Sequence, residues 1–211
     1  MSKLSPSPLS GRRQQAARND QLILEAAREV FIDDPGAPIS EVARRAGVGI
    51  SALYGRYASK DDLLRRLCHD GLQRYVEETE AALAAEGDPW RVFSDYMRRL
   101  VDADTSSLTR ALAGRFRPTE ELFALAERAN ELSNRLFRKT SGHMRPSVAV
   151  HDISLVFELV AAIRLPDRGR TRQLRQRYLE VILDGLRRSD GDPLPGPPPT
   201  WEEINQRWAG D

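Results

Sequence analysis

Between Pro38 and Lys60 the chain reads PISEVARRAGVGISALYGRYASK, and here the residue types and their spacing point to non-covalent chemistry. Val42, Ala43 and Ala46 recur at helical spacing, and Gly47 then interrupts with the one residue that enters a left-handed turn without steric cost. Leu53, Tyr54 and Tyr57 follow at i, i+1 and i+4, the mark of a second short helix. Two short helices about a turn containing glycine make the DNA-binding form of the helix-turn-helix, whose second helix enters the major groove. Arg44 and Arg45 on the first of these helices read equally as an exposed charged face or as backbone-contacting cations.

The rest of the chain offers no covalent chemistry. His69, His143 and His151 are scattered, and none stands four residues from another with an acid between, so no metal site is expected. There is no G-x-S-x-G, no G-x-x-x-x-G-K and no H-E-x-x-H, and adjacent acids such as Asp61-Asp62 and Glu77-Glu78 point apart on helices. Neither an enzyme nor a cofactor is implied.

At 211 residues, with 32 basic and 31 acidic side chains and a formal net charge of +1, the chain has no global nucleic-acid footprint. Its basic character is local. Lys3, Arg12, Arg13 and Arg18 precede the first acid, Asp20, and read either as a solvated terminus or as a phosphate- or minor-groove-contacting arm. A single cysteine, Cys68, excludes an intrachain disulfide framework and suits a reducing cytoplasm. No apolar run approaches the roughly 18 residues of a membrane span, and the start of the chain lacks the apolar segment of a signal peptide.

The elements that would position the motif are all helical. Residues 1–18 are expected to form a flexible basic arm, followed by a first helix from Asn19, with Asn19 or Asp20 as its N-cap and Leu22, Ile23, Ala26, Ala27, Val30 and Phe31 on one face. The motif helices should span Pro38–Ala46 and Ile50–Tyr57. Ser59 then caps a long helix to about Ala85, and Asp88-Pro89 and Pro118-Thr119 start two more, with a short helix near Ser106–Ala113 between them. Ile153–Leu165 is apolar nearly all round and, with Thr171–Arg188, suits either a four-helix interface between two copies or an intrachain core. A proline-rich linker, Asp192–Pro199, leads to a capping box at Thr200 before a short segment over Ile204–Trp208, expected to dock on the body or on a partner, the alternative being a free recognition tail.

AGVG, LY, RY and SK, as Ala46–Gly49, Leu53–Tyr54, Arg56–Tyr57 and Ser59–Lys60, closely resemble the motif of the tetracycline-repressor (TetR) family of bacterial regulators, whose pattern also opens on a pair such as Val42-Ala43. The chain departs from that pattern at Tyr57, where Phe is usual, at Gly49, where Ser is frequent, and at Gly55-Arg56, where a bulkier pair is common. The resemblance implies an all-α protein of about nine helices: a three-helix DNA-binding domain (19–66) joined by a long helix to an effector-binding and dimerisation domain (67–188), with a tail (189–211). It implies contacts to double-stranded operator DNA from Pro38, Ser40, Arg44, Arg45, Val48, Gly49, Ile50, Ser51, Ala52, Tyr54, Gly55, Arg56, Tyr57 and Lys60. It also implies a pocket, for which Trp90, Phe93, Tyr96, Met97, Leu100, Phe116 and Phe123 are candidate lining residues if they are not plain core. Ile153, Val156, Phe157, Val160, Leu174, Tyr178, Val181, Ile182 and Leu186 would pair two copies. The expected function is a cytoplasmic, homodimeric, sequence-specific regulator, a repressor released from a palindromic operator by an apolar or aromatic small molecule. The alternatives are an activator or effector-independent regulator on the same fold, or a helical protein-interaction module.

Overall fold

The computed structural model describes residues 8–187 and 193–206, the side chains of 8–14 and 16 excepted. Among them are ten α-helices, one 3-10 turn and no strand. They fall into two compact units, the first ending at Leu67 and the second beginning at Cys68. No helix among the described residues is long and apolar enough to cross a membrane.

The first unit holds α1 (Pro8–Asp33), α2 (Ile39–Ala46), α3 (Ile50–Tyr54) and the start of α4 (Lys60–Ala84). Ile23, Ala27, Val30 and Phe31 of α1 close on Val42, Ala43, Leu53, Leu63 and Leu64, all buried. α2 ends in a Schellman turn: Gly47 sits at φ 67, its N–H reaches Arg44 O, and the Val48 N–H reaches Ala43 O at 3.1 Å. That pairing satisfies carbonyls which a helix end otherwise leaves without partners, and it needs a residue that tolerates positive φ. Ser59 caps α4 by accepting the Asp62 N–H at 3.1 Å, with Asp61 and Asp62 in the first turn where the helix dipole favours them.

Two boundaries in this unit differ from the sequence expectation. α1 starts at Pro8, not Asn19, so the part of the expected arm that is described is helical. Gln, Ala and Arg are good helix formers that extend an existing helix at little cost, and Gln15 adds an i,i+4 bond to Asn19 at 2.9 Å. Lys3 lies outside the described residues. α3 ends at Tyr54, and Gly55 to Tyr57 continue as a turn whose N–H groups still reach Ser51 and Leu53.

The second unit contains the rest of α4, then α5 (Pro89–Asp102), α6 (Thr105–Leu112), α7 (Glu120–Thr140), α8 (Val150–Ala161), α9 (Arg168–Leu186) and α10 (Trp201–Asn205). Asp88 caps α5, accepting the Arg91 N–H at 2.8 Å with Pro89 in the first turn, and Thr119 caps α7 through the Leu122 N–H. The core gathers Phe93, Tyr96, Met97 and Leu100 of α5 with Val156, Phe157 and Val160 of α8 and Leu179 and Leu183 of α9. Tyr75, Tyr96 and Phe157 meet edge to face, with ring centroids 6.4 Å apart in each pair. The end of α9 is tied by an isolated antiparallel bridge between Met144 and Arg187, with Arg145 N–H to Leu186 O at 3.0 Å.

α8 stops at Ala161, four residues short of the expected Leu165, and Arg175 of α9 is involved. Its guanidinium, 6% exposed, donates to Ile163 O at 3.0 Å, to Ala161 O at 2.9 Å and to Asp104 Oδ1 at 2.7 Å. Asp104 links α5 to α6 at φ 50, a left-handed conformation that Asp tolerates better than most non-glycine residues. Removing this guanidinium takes the donor away from two carbonyls and one ion-pair partner from a half-exposed carboxylate. Arg175→Met is expected to cost about 1–3 kcal/mol, to be read as a lowered denaturation midpoint of the second unit by tryptophan fluorescence, Trp90, Trp201 and Trp208 all belonging to that unit.

Candidate functional site

Residues expected to face DNA separate into two groups in the first unit. Pro38, Ser40, Arg44, Arg45, Gly49, Ile50, Ser51, Ala52, Tyr54, Gly55 and Arg56 are exposed and Val48 is half-buried. Leu53 alone of α3 is fully buried, so this one-and-a-half-turn helix is pinned by one side chain and presents Ile50, Ser51, Ala52 and Tyr54 outward; Tyr54 is 51% exposed. Helix propensity does not hold so short a segment; packing beneath it does.

Tyr57 and Lys60 belong to the other group. The Tyr57 ring is buried, and its hydroxyl donates to Asp20 Oδ1 at 2.7 Å. Burial first, and then that bond, push the phenol well above its ordinary pKa. Lys60 turns its ammonium inward, donating to Pro35 O at 3.2 Å and Ala37 O at 2.7 Å and lying 5.0 Å from the Phe31 ring centroid. Both therefore shape the presenting surface from beneath. Sequence pattern marks them as motif positions but does not say which way a side chain points.

The exposed arginines are held in ion pairs. Arg56 grips Asp20 with two bonds, Nε to Oδ1 at 2.9 Å and Nη2 to Oδ2 at 3.1 Å. Arg45 reaches Glu29 at 2.7 Å, and Arg44 pairs with Glu41 one turn earlier on α2. Exposed pairs of this kind are worth only about 0–1 kcal/mol, so a phosphate can replace the carboxylate at little cost. Asp20 and Asn19, which sequence suggested as helix caps, sit inside α1; Asp20 instead joins α1 to the turn after α3. The Arg56 bond holds the Asp20 carboxyl below its ordinary value of 3.8, helped by Tyr57 and opposed by partial burial.

In the second unit a cavity of about 190 Å³ opens among α4, α6, α7, α8 and α10. Phe123 is the one residue of the expected lining set that faces it. Phe93, Tyr96, Met97, Leu100 and Phe116 are buried in the core, and Trp90 packs against that core beside Phe93 at 5.7 Å between centroids. α5 turns its aromatic face to α8 and α9, so the wall falls instead to Leu72, Tyr75, Thr105, Thr109, Ala126 and Phe157. Sequence periodicity marks an apolar face without distinguishing a face that meets side chains from one that meets a void.

The residues expected to pair two copies divide between core and exterior. Ile153, Val156, Phe157, Val160 and Leu186 are buried within their own chain, and Leu174 and Ile182 are half-buried. Tyr178 and Val181 are exposed, as is Leu159, at 65%, which the sequence reading left out. Because α8 is apolar on both sides, pattern alone could not assign its inner face.

The fold and the presented short helix define an all-helical helix-turn-helix protein. The family model described as bacterial regulatory proteins of the tetR family matches residues 23–67. The crystal structure of a TetR transcription regulatory protein from Mycobacterium vanbaalenii is 30% identical, with 83% of this chain and 98% of that chain covered and a TM-score of 0.54. The chain belongs to the TetR family. The HTH-type transcriptional repressor LfrR of Mycolicibacterium smegmatis is 38% identical over 85 residues, 40% of this chain; the match spans 41% of that curated relative's length. LfrR from Mycobacterium smegmatis in complex with proflavine shares the fold, with a TM-score of 0.63 at 21% identity over 84% of this chain and 99% of that one.

Because the folded pKa of Asp20 is depressed, its contribution to stability is present above about 3.8 and is lost as pH falls through the folded value. The stability difference between the natural chain and Asp20→Asn is therefore expected to be full at pH 7 and to vanish in acid below the ordinary carboxylate range, measured by denaturant titration across pH. Tyr57→Phe, which removes one hydrogen bond to a carboxylate, should cost about 1–2 kcal/mol in the same assay.

Proposed function

We propose that this protein is a cytoplasmic transcriptional regulator, a repressor that binds a near-palindromic operator as a homodimer and leaves it when a small molecule fills the cavity of the second unit. The observation that carries this reading is the presentation of α3, with Leu53 buried and Ile50, Ser51, Ala52 and Tyr54 facing solvent in a helix-turn-helix. Ser51 and Tyr54 supply hydroxyls for phosphate or base edges, Ile50 and Ala52 supply apolar contact, and Arg44, Arg45 and Arg56 exchange carboxylates for phosphates. Pro38, Ser40, Val48, Gly49 and Gly55 complete the approach surface, while Tyr57 and Lys60 act by holding it in place.

A single reader with so few long side chains pointing outward binds weakly, so two must act together. The exposure of Leu159 on α8 and of Tyr178 and Val181, one turn apart on α9, supports pairing, since large apolar side chains left in solvent favour burial against a second copy. Release by ligand requires only that the effector bind one conformation better than the other. α4 offers a route, because it carries Leu63, Leu64 and Leu67 of the reader core and also Cys68, Leu72 and Tyr75 of the cavity wall. The LfrR structure solved in complex with proflavine, which shares this fold, supports a small-molecule ligand.

Tyr54→Ala should weaken binding to the chain's own upstream DNA about tenfold, with the dimer intact, and the negative slope of log affinity against log salt should become shallower for Arg45→Ala. Gel shifts at three salt concentrations read both. An unchanged affinity for Tyr54→Ala would remove α3 from the contact surface. Leu159→Asp combined with Val181→Asp should give a folded monomer by analytical ultracentrifugation, with operator binding lost.

A further inference from the structure

The corner between α8 and α9 gathers positive charge that the regulator reading has not yet used. Arg164, Arg168, Arg170, Arg172, Arg175 and Arg177 fall between positions 164 and 177 with a single acid, Asp167. The whole chain carries a formal net charge of only +1, so the remainder of it is net acidic. Arg175 is buried on Asp104, and the other five arginines are exposed.

Hydrogen bonds fix the backbone that carries them. Arg175 Nη2 reaches Ala161 O, at the last residue of α8, and Arg175 Nε reaches Ile163 O, so the opening turn of α9 lies beyond the end of α8. The connecting residues are latched to that turn. The Leu165 N–H donates to Thr171 Oγ1 at 2.9 Å, and the Thr171 hydroxyl lies 3.2 Å from Leu165 O and 3.0 Å from Asp167 O. Asp167 caps α9 by accepting the Arg170 N–H at 3.1 Å. Binding here therefore has little backbone left to order.

Elsewhere exposed arginines are answered by acids: Arg45 by Glu29, Arg56 by Asp20, Arg98 by Glu180 and Arg128 by Glu80. At the corner the balance is different. Arg170, Arg172 and Arg177 form no ion pair among the described residues, and the Arg170 guanidinium instead donates to Gln173 Oε1 at 3.2 Å. The acids of this end are engaged, Asp167 in the cap, Asp104 with Arg175, and Asp102 in accepting Gln176 Nε2 at 2.8 Å. Cations held together on one corner repel one another, and an anion that binds there relieves the repulsion. Five exposed side chains do not form a recess for a small anion, but they suit a polyanion whose charges are spread along its surface. Guanidinium forks match phosphate oxygens in particular.

We propose that the 164–177 corner is a second DNA contact of this chain, one that binds the phosphate backbone of duplex DNA without reading its bases. This rests on the reading of the chain as a DNA-binding regulator. α3 selects the sequence, and the corner adds affinity that is the same on every sequence.

The full chain is titrated onto a duplex of its own upstream DNA and onto a scrambled duplex of equal length and composition, at three salt concentrations, with circular dichroism confirming the fold of each variant. Arg170→Gln combined with Arg172→Gln should weaken binding to both duplexes by the same factor, about tenfold at the lowest salt. The slope of log affinity against log salt should become shallower by about 1.8 for each copy whose corner touches the duplex, at about 0.9 per phosphate contact. Arg170→Lys combined with Arg172→Lys keeps both charges and should stay near the parent. Arg135→Gln combined with Arg138→Gln removes the same two charges from exposed positions on α7 and should change either slope far less. An effect no larger than that of the α7 pair overturns the corner, as does a loss confined to the upstream duplex. A Gln pair that sediments as a monomer makes the corner a contact between copies and overturns the DNA assignment. Should the Gln pair not fold, Arg177→Gln decides alone, with the slope expected to fall by about 0.9 per copy. A parent chain that binds neither duplex overturns the regulator reading and the corner with it, whereas a parent that binds both while the corner variants match it overturns the corner alone.

Discussion

A guanidinium cannot be buried in a helical core unless each of its donors is answered, and in the second unit that requirement fixes much else. Arg175 takes two carbonyls from the end of α8 and a carboxylate from the α5–α6 junction. The same three bonds therefore set where α8 stops, hold Asp104 in its left-handed conformation, and place Thr105, the next residue, at the head of α6 in the cavity wall. Tyr178, exposed, lies one turn further along the same helix as Arg175. A cavity wall and an exterior helix are thus tied to one side chain.

The first unit applies the same logic with a smaller residue. Asp20 answers both Arg56 and Tyr57, and the two carbonyls at Pro35 and Ala37 answer Lys60, so the positive charge nearest α3 is partly turned inward. What remains outward on α3 is short: hydroxyls, a methyl, one branched aliphatic chain and a phenol. Recognition by such a surface depends on close approach of the helix backbone, for which Gly49 and Gly55 at its two ends leave room, more than on long side chains reaching for base edges.

The parts of this structure that were legible in the sequence are those decided within a few residues. Gly47, Ser59, Asp88, Thr119 and Thr200 each act on the backbone two to four positions away, so their types announce the helix boundaries they make. The family motif made the reader legible for the same reason. What could not be read was decided across the chain. Trp90, Phe93 and Tyr96 have the pattern of a pocket and of a core alike, and only α8 and α9, more than fifty residues later, settle which they are. Lys60 and Tyr57 have the types of DNA contacts until Asp20 and the 35–37 loop claim them. The start of α1 was misplaced because Asn19 and Asp20 look like caps, and nothing local reveals that Asp20 serves a turn thirty-six residues on.

One modest feature of the fold bears on how this chain can vary. The bridge from Arg187 to Met144 and the bond from Leu194 to Ser147 attach both ends of the 188–193 stretch to a single loop. The end of α9 and the approach to α10 are therefore anchored on the same 144–147 loop, so a substitution that displaces this loop disturbs both together.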